Sequence, residues 1–346
     1  MKNKKAFEVQ FNWIFVLIAG AAILVIVSFI IFKQKNISES SSNSVALRSI
    51  ESVISGTSVS TDTSSVIEVP DLSIQVDCGK ISIGKISKQY PRLVLFAPFV
   101  IKGNKIIAQT LSFNAPYKSS NILLMTSQNV RYILIGNSDL IKTINKTLPP
   151  DINKENFSSY NAVKIKNSNN YKVRFVFDNF AGNLESASNF PPLLSKMPGG
   201  DVTALNIIED SSKDKGKIEF YENNGNSFKK KGNSHYLGKS SLIAAVYSDT
   251  PEHYECNMKN VFAKHELVTQ VYSQRINNLN GISSISADCK NNAYTAALPI
   301  LSSIQTSSNK LSKSISESER NNLANAAESL KTQNKEAQKF SCPMIY

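Results

Sequence analysis

The stretch Trp13–Phe32, WIFVLIAGAAILVIVSFIIF, carries no charged side chain. At about 1.5 Å rise per residue, roughly twenty helical residues match a hydrocarbon core of about 30 Å. The run therefore predicts a transmembrane helix over 13–32, with the lipid bilayer as its first partner. Lys2, Lys4 and Lys5 precede it, whereas only Lys33 and Lys35 follow closely. Cytoplasmic flanks are enriched in Lys and Arg, so residues 1–12 are expected in the cytoplasm and the bulk of the chain outside it. Phe11 and Trp13 suit the interfacial belt. A cleaved signal peptide would have an apolar core of about 7–15 residues and a small-residue cleavage site. This run is longer and ends in FIIFKQK, which favours an uncleaved signal anchor.

The block KKAFEVQFNWIFVLIAGAAIL resembles the N-terminus of a family of single-pass membrane-anchored proteins from small-genome archaea. FAPFVIKGNKIIAQTLSFNAPYKSSN, VRYILIGN, SHYLGKSSLIAAVYSDTPEHYEC and the final FSCPMIY extend the likeness. The family carries no known activity, so the resemblance implies an anchor and a topology and says nothing of chemistry.

Beyond the anchor, about 300 residues suffice for one large domain or two ordinary ones. With 39 basic and 27 acidic side chains the net charge is +12, spread along the chain. Its densest cluster, Lys229–Lys230–Lys231, reads as a solvated loop. Nucleic-acid binding needs basic residues gathered on one face with groove-entering or stacking elements; no such pattern is visible. Anionic lipid, envelope glycans or solubility are better uses of the charge.

Residues 33–65 read as a Ser/Thr-rich tether, too polar to bury much apolar area. Within it Val45, Leu47, Ile50, Val53 and Ile54 approximate the stripe of a short amphipathic helix near the membrane. From residue 66, LSIQVDCG, PRLVLFAP, NKIIAQTLSFN and NILLMTS read as strands bounded by turn residues. VRYILIG runs into the amphipathic helix NSDLIKTINKTLPP. YKVRFVFDN, DVTALNIIED and KGKIEFYEN add strands, and NLESASNFPPLLSKM is partly helical. The expected class is α/β, a mixed sheet with helices on its faces over 66–238. A separate β subdomain built from the early strands is the alternative.

A C-terminal all-helical subdomain is expected over 239–346. Thr250-Pro251-Glu252 is a helix-start signal, and Met258, Val261, His265, Val268, Tyr272 and Leu279 form one stripe. A second helix starts near Asp288 with Tyr294, Leu298, Leu301 and Ile304. Ser316 and Glu319 have capping-box spacing, with Leu323, Ala327, Leu330 and Ala337 beyond.

Cys78, Cys256, Cys289 and Cys342 form no CxxC pair, and an even count in an exported domain favours disulfides. Four cysteines allow three pairings. If the last three helices pack antiparallel, Cys289 at the start of the second and Cys342 after the third fall at one end. Cys256, at the opposite end, is left with Cys78. The expected bonds are Cys289–Cys342 and Cys78–Cys256.

No residues are assigned to catalysis, to a cofactor or to a metal. His265 lies on an apolar stripe and reads as a hydrogen-bonded core histidine. His253, between Glu252 and Glu255, reads as a solvated helix terminus with a weak metal site as the alternative. His235 belongs to no motif, and AKHELVT lacks the second His of HExxH. IGNSDL places Ser138 between strand and helix, but the second Gly of GxSxG is missing; Asn137 or Ser138 more naturally caps the helix. MPGGD and ENNGN are turn signals. Asn36, Asn145 and Asn156 start N-x-S/T triplets open to glycosylation, Asn36 on the tether and Asn156 in a polar loop.

Together these features point to a non-enzymatic, membrane-tethered envelope protein that binds a partner protein or supports the cell surface. A pilin-like filament subunit is the alternative: Ala6, Phe7 and Glu8 before an apolar helix are similar to a prepilin leader. Glu8 would be second after a cut at Ala6, where type IV pilins carry glutamate fifth, and Gln10 and Asn12 interrupt the apolar run. An exported hydrolase on the α/β domain ranks third.

Overall fold

The computed structural model describes Ile18 and residues 21–29, 42–56, 60–163, 165, 170–180, 182, 184–186, 190–210 and 214–346. Half of the predicted anchor, and Asn36, lie outside these residues. Residues 21–29 are helical, with Ile23, Leu24, Val25, Ile26 and Val27 all exposed. Among the described residues no helix is long and apolar enough to cross a membrane.

Residues 42–56 form a helix, α1. It is followed by β1 (Ser64–Asp77), β2 (Lys80–Ile83), β3 (Ile86–Gln89), β4 (Leu95–Phe96), β5 (Val100–Asn114) and β6 (Lys118–Ser127). These strands make one sheet in the order β3-β2-β1-β5-β6-β4, antiparallel throughout except for β4 beside β6. Period-two alternation divides its faces. Ile106, Leu123 and Met125 face α1, whose Ala46, Leu47 and Ile50 are buried against them. Ile107, Ile122 and Leu124 face the main core. The stripe predicted in the tether is thus a docked helix, held by apolar burial on the sheet.

The second sheet holds β7 (Val130–Ile135), β8 (Asn153–Phe157), β9 (Lys172–Asp178), β10 (Val202–Glu209), β11 (Lys215–Asn223) and β12 (Phe228–Leu237). Its order is β12-β11-β10-β9-β7-β8, with β8, β7, β9 and β10 parallel and β11 and β12 antiparallel. The helix α2 (Asp139–Thr147) connects β7 to β8. Two sheets therefore replace the single mixed sheet expected over 66–238. β6 pairs with β5 along one edge and with β4 at Leu123 and Leu124 on the other, while β7 takes β8 and β9 as its partners. Lys229, Lys230 and Lys231 lie in β12 and not in a loop. Two of these charges are met across the strands, Lys230 by Glu219 at 2.6 Å and Lys231 by Glu222 at 3.1 Å.

Four helices follow: α3 (Gly238–Tyr247), α4 (Pro251–Gly281), α5 (Thr295–Leu311) and α6 (Glu317–Lys339), with a π-helical turn at Cys289–Tyr294 leading into α5. Every residue of α3 from Ser240 to Tyr247 is buried, as expected of a helix apolar on all sides. It packs against β4, β5, β6 and β12, and so lies between the sheets. One apolar core runs from both sheets through α3 into α4, α5 and α6. Thr250 caps α4 by accepting from His253 N, and Ser316 caps α6 by accepting from Glu319 N.

Disulfides join Cys78 to Cys256 (Cα–Cα 6.0 Å) and Cys289 to Cys342 (Cα–Cα 5.6 Å), leaving no cysteine free. These are the two pairs that antiparallel packing of the last helices implies. The first staples the β1–β2 turn to α4; the second ties the start of the π turn to the chain beyond α6.

Candidate functional site

The residues singled out in the sequence do not converge. Ser138 caps α2, its side chain accepting from Ile141 N, which leaves it in a structural role. Asn145 is half-buried within α2, and its carbonyl accepts from Lys154 Nζ at 2.7 Å. Asn156 is exposed on the edge strand β8 rather than in a loop, because its backbone follows the parallel pairing with β7.

His265 is a core histidine. Its Nε2 lies 2.8 Å from the Ala115 carbonyl and must donate to it, so the neutral ring presents Nδ1 to the Ser308 hydroxyl at 2.8 Å. Tyr117 stacks on the ring at 5.2 Å. Burial pulls its pKa down to about 4, against a smaller upward effect of the Ala115 carbonyl. His253 is buried, not solvated. The same α4 turn carries Cys256, which binds α4 to the β1–β2 turn. Burial lowers the His253 pKa, with Asp249 and Asp77 pulling the other way. His235, on β12, is lowered by burial and then by Arg320. Among the described residues no group of three His, Cys, Asp or Glu side chains is placed to hold a metal ion.

A buried ionic cluster occupies the α3–α4 junction. Arg174 Nη2 donates to the carbonyls of Ala245 (3.1 Å) and Ser248 (2.6 Å). These belong to the C-terminal end of α3, where the helix dipole is negative, so the helix itself supplies part of the counter-charge. Lys172 Nζ donates to Asp249 Oδ2 at 2.8 Å and to the Gly200 carbonyl at 2.6 Å. Asp249 Oδ2 also accepts from Phe99 N at 2.8 Å. The cluster joins β9, the α3–α4 turn and the chain between β4 and β5. Its role is to hold the layers together.

The site with unspent recognition chemistry lies at the edge of the first sheet. Val94 O accepts from Leu123 N (3.0 Å) as the chain enters β4. Before that point the segment Tyr90–Leu93 diverges from β6, opening a pocket of about 680 Å³. Ser119 and Ser120 contribute from opposite faces of β6, so the pocket wraps the strand edge. Ile54 of α1 and Lys264 of α4 close it. Arg92 and Lys264 both line it, and no described lining residue is a carboxylate. The nearby Glu51 is engaged by Lys88 and by the Tyr90 hydroxyl (2.7 Å). Burial and the Arg92 charge together lower the Lys264 pKa. The Oγ atoms of Ser119 and Ser120 are buried without a hydrogen-bond partner, and Ser120 is only 7% exposed.

A larger pocket of about 760 Å³ sits where α3 begins, beside α6. Its acids Asp62, Asp214 and Glu328 are matched by Lys215, Lys239 and Lys331, so charge selects nothing there.

No protein-family model, curated protein or solved structure matches this chain. Arg92, Ser120 and Lys264 carry no sequence signal. Arg92 sits inside the strand candidate PRLVLFAP, and Lys264 precedes His265 in a motif read for zinc. Only the fold brings them together.

Proposed function

We propose that this protein is a membrane-tethered extracytoplasmic binding module, anchored in the cell membrane by residues 13–32, with its N-terminus cytoplasmic and no enzymatic role. The observation that carries the reading is the pairing of all four cysteines in two disulfides. Such bonds persist in oxidising compartments and are rare in the cytosol. The exposed run Ile23–Val27 supports the anchor. Consecutive helical residues point in every direction, and a helix apolar all round needs a core or a bilayer around it. Binding is assigned to the Arg92–Lys264 pocket, whose charge and hydroxyls have no partner within the described chain.

Protease added to intact cells tests the topology. Digestion of the disulfide-bonded bulk without lysis is expected; protection until lysis, or four freely alkylatable thiols in native protein, overturns the reading.

A pilin-like filament subunit is a second reading, favoured by the same exposed apolar helix, which copies of the chain would bury against one another. It requires loss of the first six residues, which N-terminal mass spectrometry detects. A hydrolase ranks below both, since Ser138 serves as a helix cap.

A further inference from the structure

Building on the reading of this protein as a binding module, the geometry points to a phosphate group, carried as an ester on an apolar body, as the ligand of the Arg92–Lys264 pocket. Charge is the first argument. Two cations face one cavity with no lining carboxylate among the described residues. A phosphomonoester carries about −1.5 to −2 at neutral pH and balances both, whereas a carboxylate leaves one cation uncompensated. An anion between them also relieves the repulsion and desolvation that hold Lys264 down.

Donor geometry is the second argument. Arginine offers a planar fork suited to two phosphate oxygens, and lysine a mobile point charge for a third. Ser119 and Ser120 also line the pocket, their Oγ atoms buried without a partner, and rotation about χ1 would turn either hydroxyl towards a ligand as a neutral donor. A buried hydroxyl left unpaired is destabilising, so a ligand oxygen that accepts from it gains affinity. The remaining wall is apolar, from Ile54, Leu93 and Val94, and accommodates a hydrocarbon body next to the phosphate. Ile54 belongs to α1, the element nearest in sequence to the proposed anchor, so a lipid headgroup and a free phosphate ester are both sources of this chemistry.

Full-length protein in an uncharged detergent tests the inference by calorimetric titration with inorganic phosphate and, separately, with dihexanoyl phosphatidic acid. Saturable binding is expected, weakened about tenfold or more by Arg92→Gln and by Lys264→Met, and unchanged by Lys331→Met in the other pocket. Tighter binding of the short-chain lipid than of inorganic phosphate supports a phosphate ester on an apolar body; equal or tighter binding of inorganic phosphate overturns the apolar body. No saturable binding of either probe overturns the inference. So does binding that survives in the Arg92→Gln, Lys264→Met double variant, or equal competition by hexanoate. If the charge variants fail to fold, Ser120→Ala, which removes one buried atom, decides: several-fold weaker binding supports the site and undiminished binding overturns it. Failure here with the bulk of the chain still digested on intact cells removes the ligand and leaves the tethered module standing.

Discussion

Lys172 Nζ and Asp249 Oδ2 lie 2.8 Å apart, with side chains only 5% and 9% exposed. The pair connects the second sheet to the α3–α4 turn, and the Phe99 amide hydrogen-bonded to the same carboxylate oxygen brings in the first sheet. Removing one partner of a buried pair strands the other, at about 3–5 kcal/mol. Asp249→Asn is expected to lose stability in that range by urea denaturation. Adding Lys172→Met should recover much of it, because the asparagine oxygen still serves Phe99 N and the Lys172 charge stranded by the first substitution is gone. A double variant as unstable as Asp249→Asn would refute this account.

Acid should unfold the protein through its histidines before its carboxylates. The His265 pKa falls from an ordinary 6.5 to about 4 on folding. Below about 6.5 the unfolded chain binds a proton that the native core refuses, so stability rises with pH across this window. It is full above about 6.5 and is lost as pH falls towards 4, amounting to roughly 3 kcal/mol. Denaturation midpoints between pH 4 and 7 should slope accordingly and flatten in His265→Gln. An unchanged slope in that variant assigns the acid sensitivity elsewhere.

The Cys289–Cys342 bond closes a loop with a sequence separation of 53. On the chain-entropy model that restricts the unfolded state by about 4 kcal/mol, within the usual 2–5 kcal/mol for native bonds. The Cys289→Ser, Cys342→Ser double variant should show a loss of this size in thermal or chemical unfolding. Wild-type stability in that variant would count against a stabilising role.

Gly216 sits where β11 passes under α6. A Cβ there would press on the Ile208 carbonyl and come within 2.6 Å of the Tyr236 ring. The Gly216 carbonyl meanwhile accepts from Arg320 Nη1 of α6 at 2.7 Å. Gly216→Ala should therefore destabilise by about 1–3 kcal/mol, the usual range for overpacking, and loosen α6. Hydrogen exchange in α6 faster than in the rest of the core is the expected signature; uniform protection would contradict it.

Local signals were legible from the residues. Thr250-Pro251, Ser138 and Ser316 start helices because their side chains satisfy nearby backbone amides, which needs no distant partner. The stripe through Met258, Val261 and His265 is set by a period of about 3.6 residues. The cysteine pairing was legible one step further, since antiparallel helices have only two ends. β12 was not legible, because its Lys-rich run looks solvated until Glu219 and Glu222 are known to lie across from it.

What the sequence determined by itself is whatever neighbours in the chain decide: helix starts, apolar periods and the uncharged run at the N-terminus. Only the tertiary structure decided that the strands split into two sheets, that α3 is buried between them, and that Arg92 and Lys264 share a pocket. Edge availability and charge pairing depend on residues far apart along the chain, which meet only after apolar burial has chosen the layers. Periodicity reports which face of an element is apolar, and carries no information about which other face will cover it.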